Sequence, residues 1–265
     1  MEDRQQEKGE RFRLLHEAEP FVIPNPWDAG SAKVLAALGF EALASTSSGF
    51  AFTLGRPDGG TTLDEVVDHA RAVDRATDLP LSVDLEHGYG PEPEDAAHAI
   101  ERIAEAGAVG GSIEDFDPEG GIYPLDRAVE RVAAACEAAS RLDFPFTLTA
   151  RAENHVRGHP DLDDTIARLQ AYEGVGADVV FAPGLRSGEE IRAVSDATSS
   201  PLNVLARPNL SMEEMVGAGA QRVSVGGALA WVAAGALSSV AAQIRDHGDF
   251  SALTGPTQVP GWPLG

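Results

Sequence analysis

A (β/α)8 barrel is the fold this chain predicts, and three observations carry the prediction. Eight short apolar runs recur along the sequence, each followed by a stretch with helical periodicity, which is the alternation that builds a parallel sheet covered by helices. The 265 residues, 43% of them hydrophobic, suffice to close such a sheet into a barrel as a single domain. Polar and charged residues collect where the apolar runs end, and in a barrel those strand ends form the face that carries chemistry. No low-complexity linker divides the chain, so residues 1–265 are expected to form one domain with its core over about 20–246.

The elements follow in order. After a polar N-terminal segment, a strand over residues 21–25 leads to a helix over 29–38, stopped by Gly39. A strand over 42–44 runs into the small-residue turn Ser45, Thr46, Ser47, Ser48, Gly49. A long loop through Gly55, Arg56, Pro57, Asp58, Gly59 and Gly60 then precedes a helix over 63–76. That loop is longer than a minimal connection, which points to function. The third unit is a strand from Ser82 through Glu86 that breaks into Gly88-Tyr89-Gly90, with a helix over 93–106. The fourth is a strand over 111–115 with a helix over 125–140, and the fifth a strand over 146–153 with a helix over 163–172. Strands over 177–181, 202–206 and 221–226, each with a helical stretch behind it, complete the eight. The tail from 250 to 265, with its prolines and glycines, is expected to lie extended.

Forty-two acidic residues against 20 basic ones give a net charge of −22, which argues against nucleic acid or an anionic membrane as partner. Lys8 and Lys33 are the two lysines and every other cationic position is arginine, a composition similar to that of proteins from salt-loving organisms. Screening relieves self-repulsion in the compact state more than in the expanded chain. The melting temperature is therefore expected to rise as KCl is taken into the molar range; a flat curve would contradict the halophilic reading. Cys136 is the single cysteine, so no intrachain disulfide forms, and a reducing cytoplasm is the expected compartment. The first ten residues are strongly charged and do not read as a signal peptide. No uninterrupted apolar run reads as membrane-spanning.

Chemistry is expected where the polar strand ends meet. Asp84 and Glu86, two apart on a continuing strand, point to the same side, and like charges so placed call for a counter-ion such as a hard divalent cation. Glu114 and Asp115 end the fourth strand, Arg151, Glu153 and Asn154 the fifth, and Asn203 lies on the seventh. Singly, each has a bland reading, such as a helix cap or a structural ion pair. Asp84, Glu86, Glu114 and Asp115 together with Arg151 and Glu153 on adjacent strand ends are a far stronger signal jointly. Thr46, Ser47 and Ser48 offer hydroxyl and N–H donors for a carboxylate or phosphate, and an arginine fork such as Arg151 suits an oxyanion. Cys136, among alanines, reads as a packed thiol.

The stretches Thr46 to Asp58, Val83-Asp84-Leu85-Glu86-His87-Gly88-Tyr89-Gly90, Ser112-Ile113-Glu114-Asp115 and Thr149-Ala150-Arg151-Ala152-Glu153, with Pro24-Asn25-Pro26-Trp27-Asp28-Ala29-Gly30, resemble the isocitrate lyase and phosphoenolpyruvate mutase superfamily. The likeness runs over about residues 20–235. It implies a barrel whose last helix is often exchanged between subunits of a dimer of dimers, and a Mg2+ site, which Mn2+ could also fill, for a small 2-oxo or 2-hydroxy acid. It also implies Asp84 as direct metal ligand, with Glu86 and Glu114 holding its waters and Asp58 in the same acidic shell. Thr46, Ser47 and Ser48 fall where the family binds the substrate carboxylate, Arg151 where it stabilises an enolate, and Asn203 where related lyases contact substrate.

One departure lies after the fourth strand. Residues 116–124 read Phe-Asp-Pro-Glu-Gly-Gly-Ile-Tyr-Pro, without the cysteine-bearing loop of the isocitrate lyases or the Lys-x-Asn element of the phosphonomutases. The implied activity is thus the shared core: carbon–carbon cleavage or decarboxylation through an enolate. A phosphonomutase of the carboxyvinyl-carboxyphosphonate phosphorylmutase type and a catalytically silent metabolite-binding relative are the alternatives. The Gly120-Gly121 pair gives the same loop hinge freedom, so it is expected to close as a lid.

Overall fold

The computed structural model describes residues 2–253 and 259. Its first half runs α1 (Glu2–Leu15), β1 (Phe21–Ile23), α2 (Ala29–Ala37), β2 (Leu43–Ala44), α3 (Ser47–Thr53), α4 (Leu63–Ala76), β3 (Leu81–Asp84), α5 (Pro93–Glu105) and β4 (Gly110–Glu114). A small ribbon, β5 (Phe116–Asp117) and β6 (Gly121–Ile122), precedes α6 (Leu125–Ser140) and β7 (Thr147–Arg151). Then come α7 (Leu162–Gly174), β8 (Val179–Phe181), α8 (Gly188–Ala197), β9 (Leu202–Leu205), α9 (Met212–Gly217), β10 (Arg222–Ser224) and α10 (Ala228–His247).

Eight strands pair in parallel in the order β1-β10-β9-β8-β7-β4-β3-β2. The two ends of this sheet meet: the Ala44 N–H donates to the Pro24 carbonyl at 3.1 Å, and Asn25 Nδ2 donates to the Ser45 carbonyl at 3.0 Å. The predicted (β/α)8 barrel is therefore the observed fold. Local chemistry sets the helix starts. Asp28 accepts from the Ser31 N–H at 2.6 Å to cap α2, Thr62 and Glu65 form a capping box on α4, and Pro93 occupies the first turn of α5. The outer helix α4 turns a 3.6-period stripe inward through Val66, Val67, Ala70 and Val73.

Three regions differ from the sequence expectation. The polar N-terminal segment is the helix α1, which closes the bottom of the barrel. Its Phe12 is fully buried against Phe21, Ile23 and Val109, and Lys8 reaches Asp74 in a buried ion pair of 2.6 Å. Gly9 passes so near Pro145 that a Cβ there would stand 2.2 Å from its carbonyl oxygen. One buried aromatic does not make an apolar stripe, which is why periodicity missed this helix. At the other end, α10 buries only Ala230 among its described side chains, and leaves Trp231, Val232 and Leu237 exposed. By length and composition alone it could cross a membrane; its apolar residues are interrupted by Ser238 and Ser239 midway and by Gln243, so the expectation that no apolar run spans that length uninterrupted stands. In the tail, Leu253 N–H closes a turn onto Phe250 O at 2.9 Å, and residues 254–258 and 260–265 lie outside the described residues.

The floor of the barrel holds a titratable contact. His16 Nδ1 lies 2.8 Å from the Phe12 carbonyl, so this nitrogen carries the proton and Nε2 accepts from Arg222 Nη1 at 3.1 Å. Burial first, and then the guanidinium, push the His16 pKa down to about 3. The unfolded chain takes up that proton below about pH 6.5, so the stability tied to neutral His16 is complete above 6.5 and is lost as pH falls toward 3. His16→Gln keeps an acceptor for Arg222 without the proton. It should be up to about 2 kcal/mol less acid-sensitive than wild type between pH 6.5 and 5, measured as the change in urea unfolding free energy. Equal acid sensitivity would contradict the assignment.

Candidate active site

The C-terminal strand ends surround a cavity of about 320 Å3. Asp84, the last residue of β3, reaches its edge with Oδ1 accepting from Arg151 Nη1 at 2.9 Å and Oδ2 from the Ser47 N–H at 3.2 Å. Arg151, the last residue of β7, also pairs through Nη2 with Glu114 at 3.0 Å and Glu153 at 2.7 Å. Burial opposes its charge, but these carboxylates and Asp84 hold its pKa well above the usual arginine range. Parallel register explains the meeting, since Glu114 of β4 is the Cα partner of Arg151.

Glu86 is placed differently from the sequence expectation. The strand stops at Asp84, and Glu86 and Tyr89 adopt left-handed backbone at φ +49° and +63°, so the alternation that would put Glu86 beside Asp84 is broken. Such conformations in non-glycine residues are strained and collect at functional sites. Glu86 turns to accept from Tyr89 OH at 3.0 Å and from Thr61 Oγ1 at 3.3 Å. It lies behind the cavity, as does Glu114, while Asp58 on its exposed loop lines it.

The cluster is short of positive charge. Burial first, then Asp84 and Asp58, raise the Glu86 pKa to about 7. Glu114 is held well above the ordinary carboxylate range by burial, with Glu153 and Asp84 adding to it against Arg151 and Arg157. Among the described residues no ready-made cage of three or more acidic, His or Cys side chains stands by itself. Mg2+ does not need one: it commonly takes one or two carboxylates and fills its shell with water and substrate oxygens. Hard oxygen donors among which neighbouring like charges raise the pKa of Glu86 and Glu114 fit such an ion.

Thr46, Ser47 and Ser48, expected as a turn, begin the short helix α3, with Thr46 Oγ1 capping the Gly49 N–H at 3.3 Å. All three line the cavity, and Ser48 Oγ accepts from Trp231 Nε1 at 3.0 Å. Asn203 also lines it, but both ends of its amide are engaged: Oδ1 accepts from Arg222 Nε at 2.8 Å and Nδ2 donates to Ser224 Oγ at 3.0 Å. Arg222 donates further to Thr149 Oγ1 at 2.9 Å, and burial lowers its pKa to about 9. Sequence reading did not single out Arg222 or Arg157. Arg222 and Ser224 sit two apart on an apolar strand, the same period that exposed Asp84; Arg157 lies in a loop where no period exists.

Residues 116–124 are held as a ribbon by what lies under them. Asp115 accepts from Glu153 N–H at 2.8 Å, Arg168 Nη1 at 3.0 Å and Tyr172 OH at 2.5 Å, and its carbonyl takes the Tyr123 N–H at 2.9 Å. None of 116–124 lines the cavity, whereas Val156 and Arg157 of the loop after β7 do. The expected lid is thus anchored beside the site in this structure. Cys136 lies on α6, its thiol pushed up to about 12 by burial and then by Asp178, as suits a packed rather than a reactive cysteine.

Residues 12–245 match the family model described as phosphoenolpyruvate phosphomutase. The chain belongs to this family. A Burkholderia cenocepacia J2315 protein, described provisionally as a lyase/mutase, is 49% identical with a TM-score of 0.94 over 97% of this chain and 94% of its own. The structure of oxaloacetate acetylhydrolase with its product oxalate is 28% identical, with a TM-score of 0.84 over 93% and 91% of the two chains. The oxaloacetate decarboxylase of Paraburkholderia xenovorans (strain LB400) is 33% identical over 209 residues, covering 75% of this chain and 68% of that protein. The resemblance in the strand-end motifs is therefore one of membership, and the chain is an enzyme of the isocitrate lyase and phosphoenolpyruvate mutase superfamily.

Proposed function

We propose that this enzyme is a Mg2+-dependent lyase for a small 2-oxo or 2-hydroxy dicarboxylic acid, cleaving a carbon–carbon bond or removing CO2 to leave an enolate. The carrying observation is Arg151, held by Asp84, Glu114 and Glu153 at the edge of a small polar cavity. Asp84 would contact the cation directly, Glu86 and Glu114 would hold its waters from behind, and Asp58 would close the acidic shell. When bound, the ion supplies positive charge and Lewis acidity beside the 2-oxo group. Arg151 directs a fixed guanidinium at the same place, so charge developing on the enolate oxygen is met without reorganisation. Thr46, Ser47 and Ser48 would receive the carboxylate next to the oxo group, and Asn203, fixed by Arg222 and Ser224, would offer the substrate the second N–H of its Nδ2. Decarboxylation needs no dedicated base, which agrees with the absence of cysteine, lysine and histidine in residues 116–124.

The same reading extends to assembly and setting. The exposed apolar side chains of α10 support its exchange onto a neighbouring subunit within a dimer of dimers, and one cysteine with a large acidic excess supports a cytoplasm rich in salt. The test is turnover of oxaloacetate, alkylmalates, isocitrate, methylisocitrate and phosphonopyruvate, with Mg2+ and with EDTA. It is followed by pyruvate detection and by phosphorus NMR. Release of pyruvate or another 2-oxo acid that EDTA abolishes is expected. A signal confined to phosphonopyruvate would move the assignment to phosphonate chemistry, and none at all would leave a metabolite-binding protein.

A further inference from the structure

Three arginines line the cavity, and they are held very differently. Arg151 is clamped by three carboxylates, and Arg222 is buried in the floor by Asn203, Thr149 and His16. Arg157 sits at the mouth with its side chain 38% exposed, paired with Glu114 at 3.3 Å and Glu153 at 3.2 Å. Both of its partners already belong to Arg151, so neither carboxylate loses its last cation if Arg157 leaves. The guanidinium carbon stands 3.7 Å from the centre of the Phe116 ring, a flat apolar surface over which a planar cation can slide. Gly158, at φ +87°, follows it.

We propose that Arg157 receives the distal acidic group of the substrate, exchanging its shared ion pairs with Glu114 and Glu153 for a two-pronged bond to a carboxylate. The proposal rests on the lyase reading above and adds what that reading lacks, a group that separates diacids from monoacids. Arg151 stays with the oxo end. Arg157 is the cavity-lining cation that can advance without opening the barrel, and its fork matches a carboxylate in a way that a lysine cannot.

The test uses full-length protein with Mg2+ and compares oxalate, which has no distal group, with whichever 2-oxo diacid is turned over. Arg157→Gln should raise the KM for the diacid about 10- to 100-fold, the scale of one charge-assisted pair. It should leave kcat within about threefold and oxalate inhibition within about twofold, and Arg157→Lys should fall between. Equal weakening toward oxalate and the diacid would overturn the proposal by showing that Arg157 acts through Glu114 and Glu153. An unchanged KM would overturn it as well. These outcomes leave the lyase reading standing, because wild type still turns over; wild type acting on no 2-oxo or 2-hydroxy acid overturns both.

Discussion

Asp84→Asn should lower metal-dependent turnover by about 10³-fold or more while leaving the barrel folded, because a direct ligand delivers the several kcal/mol of charge stabilisation that a bound cation supplies. The substitution is nearly isosteric. The side-chain oxygen can still accept from the Ser47 N–H, and Arg151 keeps Glu114 and Glu153. Removing the Asp84 charge also removes one cause of the raised Glu86 pKa, so the melting temperature of the metal-free protein should hold or rise. Steady-state kinetics beside a melting curve checks both parts. Glu114→Gln, one step further from the cation, should cost only about 10- to 100-fold in Mg2+ affinity.

Arg151→Lys should lower kcat by about 10²- to 10³-fold, the range for losing one preorganised donor at a developing oxyanion. Lysine keeps the charge but not the fork that reaches Asp84 with one nitrogen and Glu114 and Glu153 with another. Arg151→Ala goes further, for it leaves Glu114 and Glu153 buried with only the half-exposed Arg157 between them. Uncompensated buried charge costs about 3–5 kcal/mol, so this variant should melt well below the lysine variant. Similar melting curves for the two would show that the cluster matters little to stability.

What was legible in the sequence follows from period and position. Strands alternate and helices repeat every 3.6 residues, so the eight strands and the helices such as α4 and α6 appear where the pattern places them. Asp84, Glu114, Arg151 and Asn203 end or lie on strands, and a barrel gathers strand ends on one face. Glu86 was misplaced because a left-handed backbone at φ +49° in a non-glycine residue leaves no mark in a strand pattern. α1 escaped notice because polar contacts do much of the holding, Arg4 and Lys8 on Asp74 and Gln5 on the Ala104 and Ala108 carbonyls, with Phe12 its one fully buried apolar side chain. Arg157 escaped because its role depends on which carboxylates stand near a loop, a fact of three dimensions alone. The ribbon after β4 kept its hinge glycines but not the expected position over the site, because Asp115 and Tyr123 fasten it from below.

The central claim is that Asp84 and its neighbours hold a divalent cation together with a 2-oxo acid, and the most direct measurement is Mn2+ binding followed by electron paramagnetic resonance, with and without oxalate. The account predicts one Mn2+ per chain in wild type, bound more tightly when oxalate is present, and no such oxalate-enhanced binding in folded Asp84→Asn. Mn2+ bound equally well by wild type and Asp84→Asn, or bound without regard to oxalate, would contradict it.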